Sequence, residues 1–541
     1  MRKVLIGVFS FVVAVAIGFF GLQFFTHTGL FKIAGKLVFS EDFSDEEKTK
    51  ISGLFSDFEL ERDVLVSKES DYVPLVEHEA KDNKSIYRLA ADILVPVGGF
   101  YEADSDISTE EFKARVESPT RGVESGVVSV AELDKTMMLQ SVDGEYFLDT
   151  FESGAYFEYV VIMQEEAKEK SGLAEKVKQL FGKEEKLQCE SEAGAGENSE
   201  VGGAESNENS GACGGELERV KEKLGEMLAE MPSKDSVLSF VQTGVTALSR
   251  NMNTKIAQVG SGEYFAENIG SFLMSFDLTH TSNESSFTGY ASKANICSDW
   301  RFRDTLIEIG LDVVELTGNH NQDCGDTAAL ETIEWYRENG IRIVGGGENA
   351  EKAAEALEIS EKGNHVTMLA YNQSTGGATY DGTPGANQYY EEDARAKISA
   401  AKERGDTVIV DVQYYECNEY NVSYEYTYCD RANSSAGDQV GLFRSLIDMG
   451  ADLVIGTSAH QTQTYELYNG GVIYYGLGNL FFDQIWWPGT TRSLGVVSYY
   501  WNNKLVQTRR FGTVYDGSYQ TRVMSSEELE WFVNRLNEAR P

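Results

Sequence analysis

The sequence predicts an α/β protein: a four-layer α/β/β/α sandwich preceded by a transmembrane helix and a smaller α/β domain. Three observations carry that expectation. From Ser236 onward, short β-branched runs alternate with helical patterns, which implies a largely parallel sheet covered by helices. Past Gln461 short strands follow one another, adding antiparallel strands to that core, until a closing helix over 527–538. At the amino terminus, Val4 to Phe25 is apolar apart from Ser10 and Gln23 and holds no charge.

At 541 residues the chain exceeds one ordinary domain. About 22 apolar residues rising ~1.5 Å each span ~33 Å, enough for a bilayer core. Arg2 and Lys3 ahead of that run favour a cytoplasmic amino terminus. A cleaved signal peptide is the alternative, but no A-x-A site follows the run. The expected organisation is an anchor in 1–35, an extracytoplasmic α/β domain over 36–182, an acidic Gly- and Ser-rich linker over 183–215, and the sandwich over 216–541. The protein is then a single-pass cell-membrane protein with its bulk extracytoplasmic.

Lys and Arg total 47 against 87 Asp and Glu, a net charge of −40. That balance repels nucleic acid and anionic lipid surfaces, so neither is an expected partner. The 6 cysteines fall into neighbouring pairs, Cys189 with Cys213, Cys297 with Cys324, and Cys417 with Cys429. With no C-x-x-C and no tight His/Cys cluster, a zinc ribbon is excluded. Disulfides in an oxidising compartment are expected, each worth ~2–4 kcal/mol. Nearest-neighbour pairing is one of several connectivities open to them.

Taken in order, Ser44 followed by Glu47 reads as a helix start, 91–97 as a strand ending in a turn, and 155–164 as an aromatic and β-branched strand. Nothing in this domain resembles a nucleophile, metal cluster or Gly-rich loop, so it is a spacer or ligand-binding domain. Residues 183–215 lack large apolar groups and cannot bury enough surface to offset ordering. Leu217, Val220, Leu224, Met227 and Leu228 then recur at helical spacing. In the sandwich, strands are expected over 237–241, 278–282, 311–316, 341–344, 366–371, 407–412 and 451–455, then over 465–468, 472–475, 494–501 and 505–511. Helices are expected over 264–276, 302–310, 326–339, 391–403 and 439–449.

Several of these strands end in polar residues, where open α/β sheets place ligands. The run ending at Thr317-Gly318 delivers Asn319 and His320, with Asp323 close behind. An Asn carbonyl oxygen and a His nitrogen can hold a metal and a substrate oxygen, as in binuclear metallophosphoesterases. The alternative is a tight turn with Asn in a left-handed position and a solvated His. Asn283-Glu284 ends the strand before it, Gln413 and Glu416 end the strand over 407–412, and Gly456-Thr457-Ser458-Ala459-His460 follows the strand over 451–455. Gly478-Asn479 and Asp483-Gln484 close the series. Each alone reads as a capped turn; together they suggest one shared site.

The order N-E, G-N-H-x-x-D-x-G, A-D-L-V-I-G-x-x-x-H and I-Y-Y-G-L-G-N-L-F-F-D-Q resembles the bacterial capsule-synthesis CapA family, also called poly-γ-glutamate synthesis proteins. Gly244 to Arg250 resembles that family's first G-D-x-x-x-x-R station, and the resemblance covers roughly 237–514. It implies a calcineurin-like metallophosphoesterase-type fold, a divalent metal ion, and a role in synthesis, anchoring or release of an extracellular anionic polymer beside its synthesis machinery. Three departures stand out: Val245 replaces the family's first acidic ligand, Gln413 replaces a His, and Ser458 replaces one of two final histidines. The remaining donors imply one metal held by Glu284, His320 and His460. A hydrolase or transferase would use Asn319 and His320 at the reacting oxygen, Glu416 as general base, and Arg250 on an anionic substrate group, with Asn283 and Asn479 also at the substrate. The alternative is a non-catalytic polymer- or ligand-binding protein with a degenerate metal site, which Val245 and Gln413 favour.

Overall fold

Two facing β-sheets share one apolar core in the carboxy-terminal part of the chain. The computed structural model describes 232–541 apart from 374–375, 380–381 and 415–436. Before 232 it describes Lys48, parts of 94–151 and the backbone of the strands between 24 and 164. Contacts divide the chain into two units, one of Met1–Val95, Ser129–Ala131 and Ala155–Met231, the other of Pro96–Val128, Glu132–Gly154 and Pro232–Pro541. Residues 96–128 and 132–154, placed by the sequence reading in the amino-terminal domain, thus pack with the carboxy-terminal one.

In the first unit, strand Val64–Asp71 pairs in parallel with Leu37–Phe39 and antiparallel with Tyr156–Gln164, which pairs in turn with Ile86–Gly99. Among the described residues no helix is long and apolar enough to cross a membrane. The expected anchor over 4–25 lies outside them save for the backbone of its last two residues, which belong to strand Phe24–His27. The linker over 183–215, the helical pattern over 217–228, Glu416, and the pairs Cys189/Cys213 and Cys417/Cys429 also lie outside the described residues.

Within the second unit we number the strands β1 (Leu238–Thr246), β2 (Leu278–Asn283), β3 (Val313–Glu315), β4 (Arg342–Val344), β5 (Leu357–Glu361), β6 (Asn364–Asn372), β7 (Thr407–Gln413), β8 (Leu453–Thr457), β9 (Gln463–Tyr468), β10 (Gly471–Gly476), β11 (Asn479–Phe481), β12 (Arg492–Trp501), β13 (Lys504–Val514) and β14 (Arg522–Val523). The principal helices are α1 (Asn251–Val259), α2 (Arg303–Glu308), α3 (Gly325–Glu338), α4 (Glu391–Arg404), α5 (Gln439–Met449) and α6 (Ser526–Glu538). One sheet runs β4-β3-β2-β1-β12-β13-β14 with β11 beside the end of β1, and the other runs β5-β6-β7-β8-β10-β9. The first sheet is parallel from β4 to β1 and antiparallel from β1 to β14, whereas the second is parallel at its centre, from β6 to β10, with antiparallel strands at both margins. This is the expected mixed α/β fold.

The alternation of β7 shows how sequence sets the layers. Val408, Val410 and Val412 face α4 and α5 in one cluster with Ile398, Phe443 and Ile447. Ile409 points the other way, into the core between the sheets, with Leu278, Val313 and Leu453. Helix α6 closes that core with Phe532 and Leu536, and its start is fixed by a capping box between Ser525 and Glu528. Phe100 and Met138 join the same core, so the segment ahead of the family-like region is part of this domain.

Two elements differ from expectation. The helix expected over 264–276 is two single turns, Glu263–Ala266 and Gly270–Leu273, because Asn268 and Gly270 are poor helix formers at the join. Helix α1 and edge strand β5 were not expected; β5 alternates Leu357 and Ile359 with charged residues and reads as surface. The disulfide Cys297–Cys324 forms as expected, with Cα atoms 5.8 Å apart.

Candidate functional site

Residues facing the core change character along the strands. Ile409 pairs with Leu453, Asp411 with Ile455, and Gln413 with Thr457, so the inner face of β7 and β8 turns from apolar to polar at its carboxyl end. Opposite it, His280 pairs with Val313 and Ser282 with Glu315. The polar end of the sandwich thereby gathers His280, Ser282, Glu315, Asp411, Gln413 and Thr457, all buried.

At the outer margin of this layer, Gln413 Nε2 donates to Glu284 Oε1 at 3.0 Å and to Asn319 Oδ1 at 3.2 Å. Thr457 Oγ1 donates to Gln413 Oε1 at 3.3 Å. The reversed amide would set its oxygen against a carboxylate and a carbonyl, so this network fixes its orientation. Gly318 lets the Asn319 loop approach: a Cβ there would lie 2.9 Å from Glu284 Cα. Deeper in, His280 Nε2 lies 3.3 Å from Asp411 Oδ2, with both side chains fully buried. Burial pushes His280 down to about 3 and Asp411 well up, the latter helped by the charge of Glu315. Glu315 accepts from Thr317 N at 2.7 Å, and burial, then the charge of Glu284, raises it to about 7.

A second group forms where β11 wedges against β1. Val245 pairs with both Ser282 and Asn479, and its N–H donates to Gly478 O at 2.8 Å. His460 Nδ1 donates to Asn479 Oδ1 at 2.9 Å, and the ring lies 4.9 Å from that of Phe482. Asn479 Nδ2 donates to Thr490 O at 3.1 Å and to Gln484 Oε1 at 3.3 Å. Arg250 lies over Phe482 at 4.4 Å and donates through Nε and Nη2 to Asp483 Oδ1. Two non-glycine residues here hold left-handed backbones, Arg250 at φ 52° and Ser458 at φ 77°, a strain that collects at functional sites.

The structure thus joins Glu284 to Asn319 through Gln413, His460 to Asn479, and Arg250 to Asp483. His320 Nδ1 lies 2.8 Å from Asp323 Oδ2. Asn283, expected at the substrate, is buried and donates to Ser285 O at 2.8 Å. Asn479 is likewise fully buried, its amide spent inside the protein. Sequence reading missed Asp411 and His280 because they sit inside strands, and Glu315 because the expected strand ran on to 316 whereas β3 ends at Glu315 itself. It missed Asp483 as the partner of Arg250, although the polar break after two phenylalanines marks that position.

Residues 239–484 match the family model of the bacterial capsule synthesis protein PGA_cap. This part of the chain is similar to the CapA family. It is 28% identical over 197 residues to the capsule biosynthesis protein CapA of Bacillus anthracis, covering 36% of this chain and 45% of that one. It is 30% identical over 199 residues to the PGA biosynthesis protein CapA of Bacillus subtilis, covering 36% and 48%. The chain therefore spans about half the length of these relatives. Among solved structures it is similar to a 5'-nucleotidase precursor from Thermus thermophilus, with 12% identity, a TM-score of 0.31 and coverage of 56% of this chain and 57% of that one. A likeness that distant carries no argument about chemistry.

The three departures from the CapA pattern can now be placed. Val245 forms an apolar cluster with Ala247 and Phe482 where the first acidic ligand would stand. Gln413 turns an N–H toward Glu284, and Ser458 Oγ is buried without a hydrogen-bond partner among the described residues. No group of three His, Cys, Asp or Glu among the described residues is placed to hold a metal ion. Of the expected ligand set, Glu284 meets Gln413, His320 meets Asp323 and His460 meets Asn479 among the described residues. A divalent ion wants lone pairs, and here an amide donor occupies the position between Glu284 and Asn319. The donor set among the described residues does not fit the metal.

Proposed function

We propose that this CapA-like protein serves the synthesis, anchoring or release of a capsule or poly-γ-glutamate type polymer by binding it, without metal-dependent hydrolysis or transfer. Gln413 carries this reading. Its Nε2 bridges Glu284 and Asn319, and a cation cannot share a place already filled by an N–H donor. Val245 and Ser458 remove two further ligand positions of the family pattern in the neighbouring group beside β11. The polymer class is supported by relatives named for capsule and PGA biosynthesis. The apolar run over 4–25 and the paired cysteines support a protein anchored in the cell membrane by one span, with its bulk outside.

Elemental analysis of the purified full-length chain, loaded with manganese, zinc or magnesium and then dialysed, tests this. Wild type and His460→Ala should both retain far less than one ion per chain. One firmly held ion per wild-type chain, lost in Glu284→Gln or His460→Ala, would overturn the metal-free reading.

A further inference from the structure

Arg250 also lines an open cleft of about 510 Å³, together with Asn251, Lys293, Asp483, Trp486 and Tyr519. The floor of this cleft is electrically closed. Asp483 is fully buried; its Oδ1 takes Arg250 Nε at 3.0 Å and Nη2 at 2.5 Å. Its Oδ2 takes Asn251 N at 3.2 Å and Nδ2 at 2.8 Å, capping α1. Nη1 of Arg250 is not used by any of these bonds. Lys293 is exposed and forms no ion pair among the described residues. Two cations and one carboxylate thus leave the cleft walls at +1, in a chain whose net charge is −40. A locally positive cleft on so acidic a protein selects an anion.

The other wall narrows the class. Trp486 is 58% exposed, an unusual position for an indole, and Ile485 and Tyr519 lie beside it. Inorganic phosphate would engage the cations and leave these apolar groups in water. A carboxylate on a short aliphatic stem engages both: the oxygens meet Lys293 and Arg250 Nη1 while methylenes cover the indole. Cavities of this size suit a single side chain or chain end rather than a folded partner.

We propose that this cleft is a subsite for a carboxylate borne on a short aliphatic stem, with Lys293 as its charge anchor and Trp486 as its apolar wall. The ligand class rests on the polymer-binding reading, since such a polymer would carry that group. The geometry of the cleft does not depend on it. Neither Lys293 nor Trp486 belongs to the Gln413 centre.

Titration of the full-length chain with glutarate, with a γ-linked glutamate oligomer and with inorganic phosphate, followed by calorimetry and tryptophan fluorescence, tests the subsite. Glutarate and the oligomer should bind wild type and change its fluorescence, and Trp486→Phe should abolish most of that change. Lys293→Glu should weaken both ligands at least tenfold, and Trp486→Ala should weaken glutarate more than phosphate. Both side chains are exposed, so an unchanged unfolding midpoint certifies the variants. Equal binding of oligomer by wild type, Lys293→Glu and Trp486→Ala would overturn the subsite while leaving polymer binding standing. Lys293-dependent glutarate binding without oligomer binding would retain the subsite and remove the polymer reading. No binding of either ligand to wild type would overturn both.

Discussion

Glu315 is a buried carboxyl group in the floor of the polar layer, acted on by the charge of Glu284 and acting in turn on Asp411 of β7, with the hydroxyls of Ser282 and Thr457 beside it. Its pKa is raised from 4.5 to about 7, chiefly by burial. A raised folded-state pKa means the folded protein holds the proton more tightly than the unfolded chain. The contribution is therefore complete below about 4.5 and is lost as pH rises through about 7. His280 has the opposite sign: held down at about 3, it stabilises the fold above its unfolded value of 6.5 and loses that contribution below it. Asp411 acts in the same direction as Glu315. Comparing wild type with Glu315→Gln in urea unfolding at several pH values largely separates the Glu315 part. Wild type should lose roughly 3 kcal/mol relative to the variant between about pH 4 and about pH 8. A difference that does not change with pH would mean that Glu315 is ionised throughout. Gln413→Ala should cost about 1–3 kcal/mol, because Glu284 loses its amide donor in a buried site. Gln413→Glu should cost more by setting a second carboxylate against the first.

At the scale of elements, the site depends on how closely β11 approaches β1. A Cβ on Gly244 would lie 2.0 Å from Gly478 O, and Gly478 itself stands at φ 83°. Gly244→Ala must push β11 away and disturb the bond from Val245 N, so it should destabilise the protein by about 1–3 kcal/mol or more in urea. An unchanged midpoint would show that β11 is free to shift. Replacing Cys297 and Cys324 together by serine should cost roughly 2–4 kcal/mol, because their bond closes the loop that holds Asn319. These elements were largely legible: α5 matches its expected span, and β2, β7, α3 and α4 lie within a residue or two of theirs. Strand ends were legible as site positions because polar residues interrupt strong β-branched runs there. The contacts were not. Glu284 and Gln413 lie 129 residues apart, and only the packing of one sheet on the other brings them together. The same pairing decides that Asn283 and Asn479 turn inward, which no local pattern reveals.

For the whole molecule, the domain expected over 216–541 lacks part of its own core. Phe100 and Met138 are buried among residues of both sheets. Asn537 Nδ2 donates to Tyr101 O at 2.7 Å, Leu467 N donates to its hydroxyl at 3.0 Å, and Arg540 lies 3.8 Å over its ring. Asp149 pairs with Arg509 at 2.8 Å and accepts from the Tyr499 hydroxyl. None of this is visible in the sequence, because Tyr101 and Leu467 are 366 residues apart and no periodicity links them. A chain beginning at residue 216 would expose the apolar surface that Phe100 and Met138 cover and strand the nearly buried Arg509 without its carboxylate. Two such side chains are worth about 3–6 kcal/mol in transfer alone, before the lost charge pair is counted. The truncated chain should therefore unfold at clearly lower urea than the full-length protein and bind a hydrophobic dye at rest. Asp149→Ala in the full-length chain separates the two terms, because it removes the charge pair and leaves Phe100 and Met138 in place. If the chain from 216 onward matched the full-length midpoint, residues 96–154 would be an appendage on this domain rather than part of its core.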